Sequence, residues 1–405
     1  MKRGTIYMKK STLRWAAAAV ITWISLDLYF GRKQHEKQSG DFRPPESSSG
    51  EAAFFRNGTK LYEHMMERLR GAEHNIYMYK YFFRDDRLGS EIIQVLTQKA
   101  QEGVHVRLLV DWIASEVRGE TKKKLKNAGV EFAYSQKPSF PFFFYSLNER
   151  NHRKVTVIDG EHAYMGGFNV GDEYAGDDPE IGIWRDYHLH IRGPAVQMLG
   201  HQFARDWKTA TGETISLQKP KYEPENPMPM YLLSTDGAHL PQHFRSLFQR
   251  AEHSVFIGTP YYVPDGEMHN EVVRLAQRGV RVRLLFPKYP DHILVKDAAF
   301  SYLRELLEAG VEVRQFNQGF YHAKVIMIDE KVVDIGTANF DMRSFYMNHE
   351  VNLMIESSEW VPRVTEYMVD DFETFGEPIT LEDLNGRTWV DKLRERIAMV
   401  FSSWL

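Results

Sequence analysis

The sequence predicts an α/β protein made of two copies of one unit, with an apolar segment in front of them. Three strings in the first part of the chain recur in the same order in the second part, namely AEHNIYMYKYF (72–82) as AEHSVFIGTPYY (251–262), AQEGVHVRLLV (100–110) as AQRGVRVRLLF (276–286), and NAGVEF (127–132) as EAGVEV (308–313). Their spacing gives a unit of roughly 175 residues with small insertions, which is far above the period of solenoid repeats and indicates duplicated domains.

Each unit alternates helical and strand patterns. Apolar residues at helical spacing come first, a short apolar run follows, and then a second helical stretch and a Val-rich run. The helical positions are Leu61, Met65 and Leu69, then Ile92, Ile93 and Leu96, and in the second unit Phe244, Leu247 and Phe248. This alternation favours an α/β fold with a mainly parallel sheet in each half.

The N-terminus predicts a single uncleaved membrane anchor over residues 1–34. The run WAAAAVITWISLDLYFG (15–31) follows five basic residues, Lys2, Arg3, Lys9, Lys10 and Arg14. Seventeen helical residues span roughly 25 Å, slightly less than a hydrocarbon core of about 30 Å, and Asp27 interrupts them. A cleaved secretory signal and a soluble core helix are the alternatives, and the charge excess is too small to assign a side of the membrane.

The remaining boundaries follow from composition. A linker is expected over 35–50, where FRPPESSSG has little to bury, and a Pro-rich linker over 213–230, around KPKYEPENPMP. The two halves are then 51–212 and 231–385. Residues 386–405 predict an amphipathic helix that docks on the domain or touches the membrane surface, with one apolar stripe comprising Trp389, Leu393, Ile397, Val400, Phe401 and Trp404.

Composition narrows the chemistry. The 405 residues include no cysteine, which excludes disulfides, thiolate nucleophiles and cysteine metal sites. The net charge of -4 provides no global basic field for a polyanion, so nucleic acid is not the expected partner.

One motif occurs twice, and its two copies are in register with the duplication. Each copy is H-x-K-x4-D-x6-G-x-x-N, and every member is displaced by the same number of positions, with His152, Lys154, Asp159, Gly166 and Asn169 matching His322, Lys324, Asp329, Gly336 and Asn339. A single H-x-K-x4-D occurs by chance in many chains. Two copies in register indicate a site.

Strand periodicity places the His and Lys of each copy on one face, since positions i and i+2 point the same way. Asp159 and Asp329 belong to the motif and are therefore candidate catalytic residues. They have the other parity and lie at a strand end, so we interpret them as mainly structural. Asp159-Gly160 predicts a hairpin turn that returns Asn169 to the His/Lys pair.

Paired imidazoles, ammonium groups and amides suit a phosphate ester. Lysines neutralise the phosphate oxygens, the amides donate hydrogen bonds, one His attacks phosphorus and the other protonates the leaving alkoxide, with no metal or cofactor required. A carboxylate usually orients such an imidazole. The candidates are Asp186, on the apolar run WRDYHLHI after His152, and Glu350, on the run NHEVNLMI after His322, each expected to serve the His of its own half.

The paired motifs resemble the phospholipase D superfamily. The strings FPFFFYSLNERNHRKVTVIDGEHAYMGGFN and QGFYHAKVIMIDEKVVDIGTANFDMRS are similar to its bacterial cardiolipin synthase branch, particularly to short forms with one anchor. The resemblance covers about residues 55 to 350. It implies two α/β halves related by a pseudo-twofold axis, one shared site, a phosphohistidine on His152, and His322 as general acid and then base.

The same resemblance implies a cell-membrane enzyme whose partners are the bilayer, phosphatidylglycerol and cardiolipin. The small hydroxyl residue that follows the motif glycine is Thr337 in the second copy, an expected phosphate ligand, but Gly167 in the first. The aromatic run Phe140, Phe142, Phe143, Phe144 and Tyr145, between prolines, predicts a lipid-facing loop, with core packing as the alternative.

Three functions remain open at this point. The first is phosphatidyl transfer that joins two phosphatidylglycerols and releases glycerol. The second is hydrolysis of a phospholipid or, less favoured, a nucleic acid by the same site. The third is an inactive membrane scaffold, which the intact His, Lys and Asn of both copies disfavour.

Overall fold

The computed structural model describes residues 10–42, 44–176, 181–289 and 293–400. Its helices are α1 Lys10–Gln38, α2 Gly58–Arg70, α3 Arg87–Gln101, α4 Gly119–Asn127, α5 Phe143–Asn148, α6 Val196–Thr211, α7 Leu240–Gln249, α8 Gly266–Gln277, α9 Ile293–Glu308, α10 Met342–Tyr346, α11 Trp360–Glu373, α12 Leu381–Asn385 and α13 Trp389–Val400. A 3₁₀ turn covers Asp172–Ala175.

The strands alternate with these helices. They are β1 Glu46–Phe55, β2 Asn75–Lys80, β3 His105–Asp111, β4 Glu131–Ser135, β5 Val155–Ile158, β6 His162–Gly166, β7 Ile183–Arg185, β8 His188–Arg192, β9 Met228–Asp236, β10 Ser254–Gly258, β11 Tyr262–Val263, β12 Arg281–Pro287, β13 Glu312–Phe316, β14 Gly319–Tyr321, β15 Val325–Ile328, β16 Val332–Gly336, β17 Phe340–Asp341, β18 His349–Glu356 and β19 Gly376–Pro378. The predicted α/β class and the duplication are confirmed.

Fifteen of the described strands form one sheet in the order β19-β13-β12-β10-β15-β16-β18-β9-β1-β8-β6-β5-β2-β3-β4. The repeated strings place β2, β3 and β4 in correspondence with β10, β12 and β13. From either edge inward, corresponding strands follow in the same order, and β9 meets β1 at the centre. The two halves therefore share a continuous sheet.

The expectation of a mainly parallel sheet is wrong. Parallel pairing is confined to β2-β3-β4 and β10-β12-β13 within this sheet, and its other neighbours are antiparallel. The reason is the tight turns at Asp159-Gly160 and Asp329-Glu330, which fold β5 onto β6 and β15 onto β16 as hairpins.

The predicted linker over 35–50 is also wrong. Helix α1 continues to Gln38, and β1 starts at Glu46, in the middle of the Ser-rich string. Glu46 to Gly50 pair with β9, and the rest of β1 pairs with β8. The second linker ends slightly earlier than predicted, because β9 begins at Met228.

The core holds the halves together. One cluster of buried residues draws on both, including Phe203 from α6 and Phe372 from α11. Arg153, 1% exposed, contacts both halves: its guanidinium donates to Asp206 at 2.6 Å, to the carbonyl oxygens of Thr235 at 2.7 Å and Glu350 at 3.1 Å, and it also pairs with Asp236. Removing either side of such a network leaves a buried charge without compensation.

None of the described helices combines the length and the apolar composition that crossing a bilayer requires, which does not support the predicted anchor. The second half of α1 packs on the protein instead. Asp27 is 5% exposed and accepts a hydrogen bond from the Tyr145 N–H at 2.8 Å, and a Cβ at Gly31 would lie 2.4 Å from the Tyr145 side chain. The apolar side chains of Trp15, Ile21 and Trp23 are exposed.

The structure modifies two further predictions, namely those for the aromatic run and for the C-terminal helix. The aromatic run forms the short helix α5 directly after Pro141, with Phe140 79% exposed and Tyr145 buried. Helix α13 packs on α9 through Ala398, while Trp389, Leu393 and Ile397 of the predicted stripe stay exposed. Lys2, Arg3, Lys9, Phe401 and Trp404, which belong to the anchor and C-terminal predictions, lie outside the described residues.

Candidate active site

The two His/Lys pairs lie in extended segments just before β5 and β15. Backbone hydrogen bonds attach each segment to the opposite half, from His152 N–H to the His349 carbonyl at 2.9 Å and from His322 N–H to the Arg185 carbonyl at 2.7 Å. His152 and His322 are 8% and 7% exposed, so both residues are buried.

The orienting carboxylates are the two that the sequence indicates, but their pairing is crossed. His152 Nδ1 lies 3.0 Å from Glu350 Oε2 and 3.1 Å from Oε1, and His322 Nδ1 lies 2.5 Å from Asp186 Oδ2. The expectation that each His uses the carboxylate of its own half is wrong. The segment pairing described above is the reason, since each His runs alongside the strand that carries the other half's carboxylate.

Glu350 is held by two hydroxyl groups. Thr337 donates to Oε2 at 2.6 Å and Ser344 donates to Oε1 at 2.9 Å. Thr337 was predicted to bind phosphate, and in the structure its hydroxyl proton is used on the carboxylate. Ser344, which the sequence analysis missed, lies shortly after Thr337 in the string GTANFDMRS.

In the first half, the position that corresponds to Thr337 is Gly167, which leaves room for the Asp186 carboxylate. Asp186 accepts a hydrogen bond from the Tyr187 N–H at 2.7 Å, and its carboxylate fills the space next to Gly167. A Cβ at Gly167 would lie 2.0 Å from Asp186 Oδ1. The difference between Gly167 and Thr337 thus follows from the position of the carboxylate in each half.

Both lysines are buried, and each ammonium group bonds to the backbone of its own motif. Lys154 Nζ donates to the His152 carbonyl at 2.8 Å, and Lys324 Nζ donates to the His322 carbonyl. Burial, and then the charge of Lys324, lower the pKa of Lys154 well below its usual value. A bound phosphodiester would relieve this repulsion, so the site is prepared for an anion.

The asparagines differ in what they contact. Asn169 Oδ1 accepts the Phe82 N–H at 3.3 Å. Asn339 Oδ1 is buried and has no hydrogen-bond partner among the described residues. The structure therefore leaves part of the Asn339 amide for a ligand.

The motif aspartates lie at the opposite ends of their strands. Asp159 accepts the N–H groups of Glu73, His74 and Asn75, each at 2.8 Å, and Asp329 makes the same three bonds in the second half. Extended chain of the length between Asp159 and Lys154 spans roughly 16 Å. This geometry supports the structural interpretation of both aspartates.

Burial sets the protonation of the imidazoles. It lowers the pKa of His152 to about 4, with Glu350 opposing and Lys154 adding to the effect, and it lowers the pKa of His322 well below the usual value. Both rings are therefore neutral at pH 7, with Nδ1–H given to a carboxylate and the Nε2 lone pair available. Burial raises the pKa of Asp186 to about 6, whereas His152 and the neighbouring donors hold the pKa of Glu350 below its usual range.

Two aromatic side chains that the sequence analysis missed form the walls. The Tyr81 ring meets His152 edge-on at 4.9 Å, and the Trp184 ring lies 5.1 Å from His322. The sequence could have indicated Trp184, because this residue lies two positions before the candidate carboxylate Asp186. Both rings limit the directions from which a phosphate can approach.

A family model described as "Cardiolipin synthase, PLD-like domain" matches residues 65–207 and 244–373, which hold both His/Lys pairs and both carboxylates. The chain belongs to the phospholipase D-like cardiolipin synthase family. Among its relatives, the cardiolipin synthase of Halalkalibacterium halodurans is 38% identical over 374 residues, covering 89% of this chain and 73% of that protein. The minor cardiolipin synthase ClsB of Bacillus subtilis is 36% identical over 385 residues, covering 94% and 96%.

A solved structure extends the comparison to the fold. The phosphatidylserine synthase of Haemophilus influenzae matches with a TM-score of 0.70 at 16% identity, covering 92% of this chain and all of that one. At this identity the likeness concerns the fold alone. The family match and the relatives identify the chain as a phosphatidyltransferase of the phospholipase D superfamily.

Proposed function

We propose that the protein is a cardiolipin synthase that transfers a phosphatidyl group from one phosphatidylglycerol to another, with release of glycerol. The observation that carries the proposal is the pair of buried imidazoles, each within hydrogen-bonding distance of a buried carboxylate and two residues before a buried lysine. The names and similarity of the relatives support the lipid substrate.

In the first step, His152 Nε2 attacks the phosphorus of phosphatidylglycerol. A phosphorus–nitrogen bond forms and the bond from phosphorus to the glycerol headgroup oxygen breaks. The bound phosphodiester anion favours the uptake of one proton by the His322–Asp186 pair, so that His322 carries an Nε2–H as well as its Nδ1–H. The leaving alkoxide takes this Nε2 proton, and glycerol departs. The Asp186 carboxyl, with a pKa of about 6, makes the His322 pair the one that exchanges a proton near neutral pH, which supports the acid role for His322.

In the second step, His322 removes the proton from the headgroup hydroxyl of a second phosphatidylglycerol. That oxygen attacks phosphorus, the bond to His152 breaks, and cardiolipin leaves. Two lipids thus give cardiolipin and glycerol, and both imidazoles return to their starting state. Lys154 and Lys324 neutralise the phosphate oxygens throughout.

We further propose that the exposed aromatic surface next to the site faces the lipid. Phe140 stacks on Phe143 at 5.6 Å, and Trp23 of α1 meets Phe144 edge-on at 5.0 Å. Aromatic side chains of this kind suit a membrane interface. Replacing Phe140 and Trp23 by serine should reduce flotation with phosphatidylglycerol vesicles, whereas replacing the exposed Tyr289 should not.

Product analysis tests the reaction. Purified full-length protein is incubated with phosphatidylglycerol in mixed micelles, and lipids and free glycerol are quantified. Cardiolipin and glycerol in equal amounts are expected. Phosphatidic acid without cardiolipin would replace the proposal with hydrolysis, and no product at all would favour the inactive scaffold.

Trapping tests the roles of the two imidazoles. Phosphatidylglycerol labelled in its phosphatidyl part should remain on His322→Asn protein and should be absent from His152→Asn protein. The exposed His201→Asn is the matched control and should turn over normally. Label on His152→Asn but not on His322→Asn would reverse the assignment.

A further inference from the structure

Two histidines and a glutamate meet beside the active site, on a face that the proposed reaction does not use. His35 belongs to α1, Glu149 follows α5, and His349 begins β18. Glu149 Oε1 lies 2.7 Å from His349 Nε2 and 3.4 Å from His35 Nδ1, and the three ligand atoms all lie within 4.8 Å of one another. The three side chains are 12 to 17% exposed.

The ring nitrogens of His35 and His349 that point away from Glu149 both lie near Asp236. His35 Nε2 contacts the Asp236 backbone oxygen, and His349 Nδ1 lies 3.4 Å from Asp236 Oδ1. In the metal-free protein the nitrogens that face Glu149 donate to its carboxylate, as the 2.7 Å contact of His349 shows. Because each ring can give its other N–H to Asp236, the nitrogen that faces Glu149 is the one that can lose its proton and bind a metal.

Two imidazole nitrogens and a carboxylate oxygen therefore converge on one small volume. A metal cation placed among them would replace the protons that the rings now share with Glu149. Outer hydrogen bonds from ligating imidazoles to a carboxylate and a backbone carbonyl are the usual second layer of a metal site. The amide of Gln136, 3.1 Å from Glu149 Oε1, closes one side, and a half-turn of this amide would offer its oxygen.

We propose that His35, Glu149 and His349 form a binding site for a divalent transition metal, with Zn²⁺ as the best match. Two imidazoles and one carboxylate are a zinc ligand set, with a fourth position left for water or Gln136. A single carboxylate is too little for Ca²⁺ or Mg²⁺, which prefer oxygen ligands.

The site would join α1 to the catalytic framework. His349 accepts the His152 N–H through its carbonyl and precedes Glu350, which orients His152. Glu149 itself lies just before His152 in the chain. A metal at this point would therefore brace the wall of the site and hold α1 against it, without touching the substrate.

Because the chain contains no cysteine, the site can be tested with a sulfur reporter. His35→Cys is purified as the full chain in detergent, stripped with chelator and titrated with Co²⁺ alone. A thiolate ligand gives an intense thiolate-to-cobalt charge-transfer band in the near ultraviolet. The matched control is His239→Cys, since His239 also faces the chain that follows α1, through the Gly40 carbonyl.

The proposal predicts the band for His35→Cys, at one Co²⁺ per chain, and its absence for His239→Cys. In the natural chain, Zn²⁺ should raise the melting temperature, and His349→Gln or Glu149→Gln should weaken Zn²⁺ binding at least ~10-fold. His190→Gln, in a separate histidine group with His64 and His162, should leave this affinity unchanged.

Three results would overturn the proposal. The first is no charge-transfer band in His35→Cys while its circular dichroism matches the natural chain. The second is equal Zn²⁺ affinity in the natural chain and in Glu149→Gln. The third is loss of binding only in His190→Gln. The cluster would then be an ionic contact between α1 and the domain.

Discussion

Replacing Asp329 tests the claim that the aspartate of each motif acts on stability and not on chemistry. Asp329 begins the β15–β16 turn and accepts the N–H groups of Glu252 at 2.9 Å, His253 at 2.8 Å and Ser254 at 2.7 Å. These bonds fix the start of β10, the neighbour of β15. Asp329→Ala removes all three acceptors at once.

The expected loss follows from the bonds and the backbone. A hydrogen bond to a charged group contributes about 1.5–3 kcal/mol, but these N–H groups are partly exposed and can bind water, so we expect about 2–4 kcal/mol in total. Asp329 has φ of 53°, and a left-handed Ala adds about 1 kcal/mol of strain. Asp329→Gly removes the bonds without that strain, and Asp329→Asn keeps one acceptor and should lose about half as much.

The pH dependence has a defined sign. Burial raises the pKa of Asp329, but its three N–H donors outweigh this effect and lower it below its usual range. A depressed folded pKa means that the stabilisation is present above the unfolded value, about 4, and is lost as the pH falls through the folded value. The difference in stability between the natural chain and the variants should therefore begin to shrink below about pH 4.

Denaturant unfolding followed by circular dichroism measures these differences, and product formation per folded molecule measures the chemistry. We expect the free energy of unfolding to fall from the natural chain through Asp329→Asn and Asp329→Gly to Asp329→Ala. Turnover of all three variants should stay within about threefold of that of the natural chain. A loss of turnover by a factor of 100 or more in Asp329→Asn, with unchanged stability, would refute the structural role.

Three other variants test separate features. Lys80 is fully buried, its Nζ has no partner among the described residues, and burial lowers its pKa to about 7. Because the unfolded lysine stays protonated to about pH 10.4, Lys80→Met should stabilise the fold by about 4 kcal/mol at pH 7 and by about 2 kcal/mol at pH 9. A stabilisation that grows with pH would contradict this prediction. Arg153→Met should lower the free energy of unfolding by about 3–5 kcal/mol by leaving two carboxylates without their cation, and a melting temperature equal to that of the natural chain would refute the bridging role. Gly167→Ala should displace the Asp186 carboxylate and reduce turnover about 100-fold with little loss of stability, whereas Gly266→Ala, where a Cβ meets nothing within 4 Å, should be neutral in both assays.

Local patterns in the sequence predict much of the fold and the members of the site. The helical positions at Leu61, Met65 and Leu69 are buried as expected, and the H-x-K copies do lie close enough for Lys154 and Lys324 to repel each other. These features depend on spacing within one segment or on the visible repeat.

What the sequence did not predict depends on contacts between distant segments. The pairing of His152 with Glu350 requires that a segment of one half lie beside a strand of the other, and the two residues are 198 positions apart. Likewise, Glu46 to Gly50 carry no apolar signal, and they enter the sheet through pairing with β9, while β8 pairs with the rest of β1.

The crossed carboxylates also constrain how the protein comes into being. During synthesis, the first half emerges with His152 and Asp186 but without Glu350, which is made only when the second half is nearly complete. Its imidazole then has no partner to fix the tautomer, and the second half lacks Asp186 if made alone. On the proposed chemistry, the growing chain is therefore expected to stay inactive toward nearby lipid until Glu350 has been made. Loss of either half removes one imidazole and the carboxylate partner of the other.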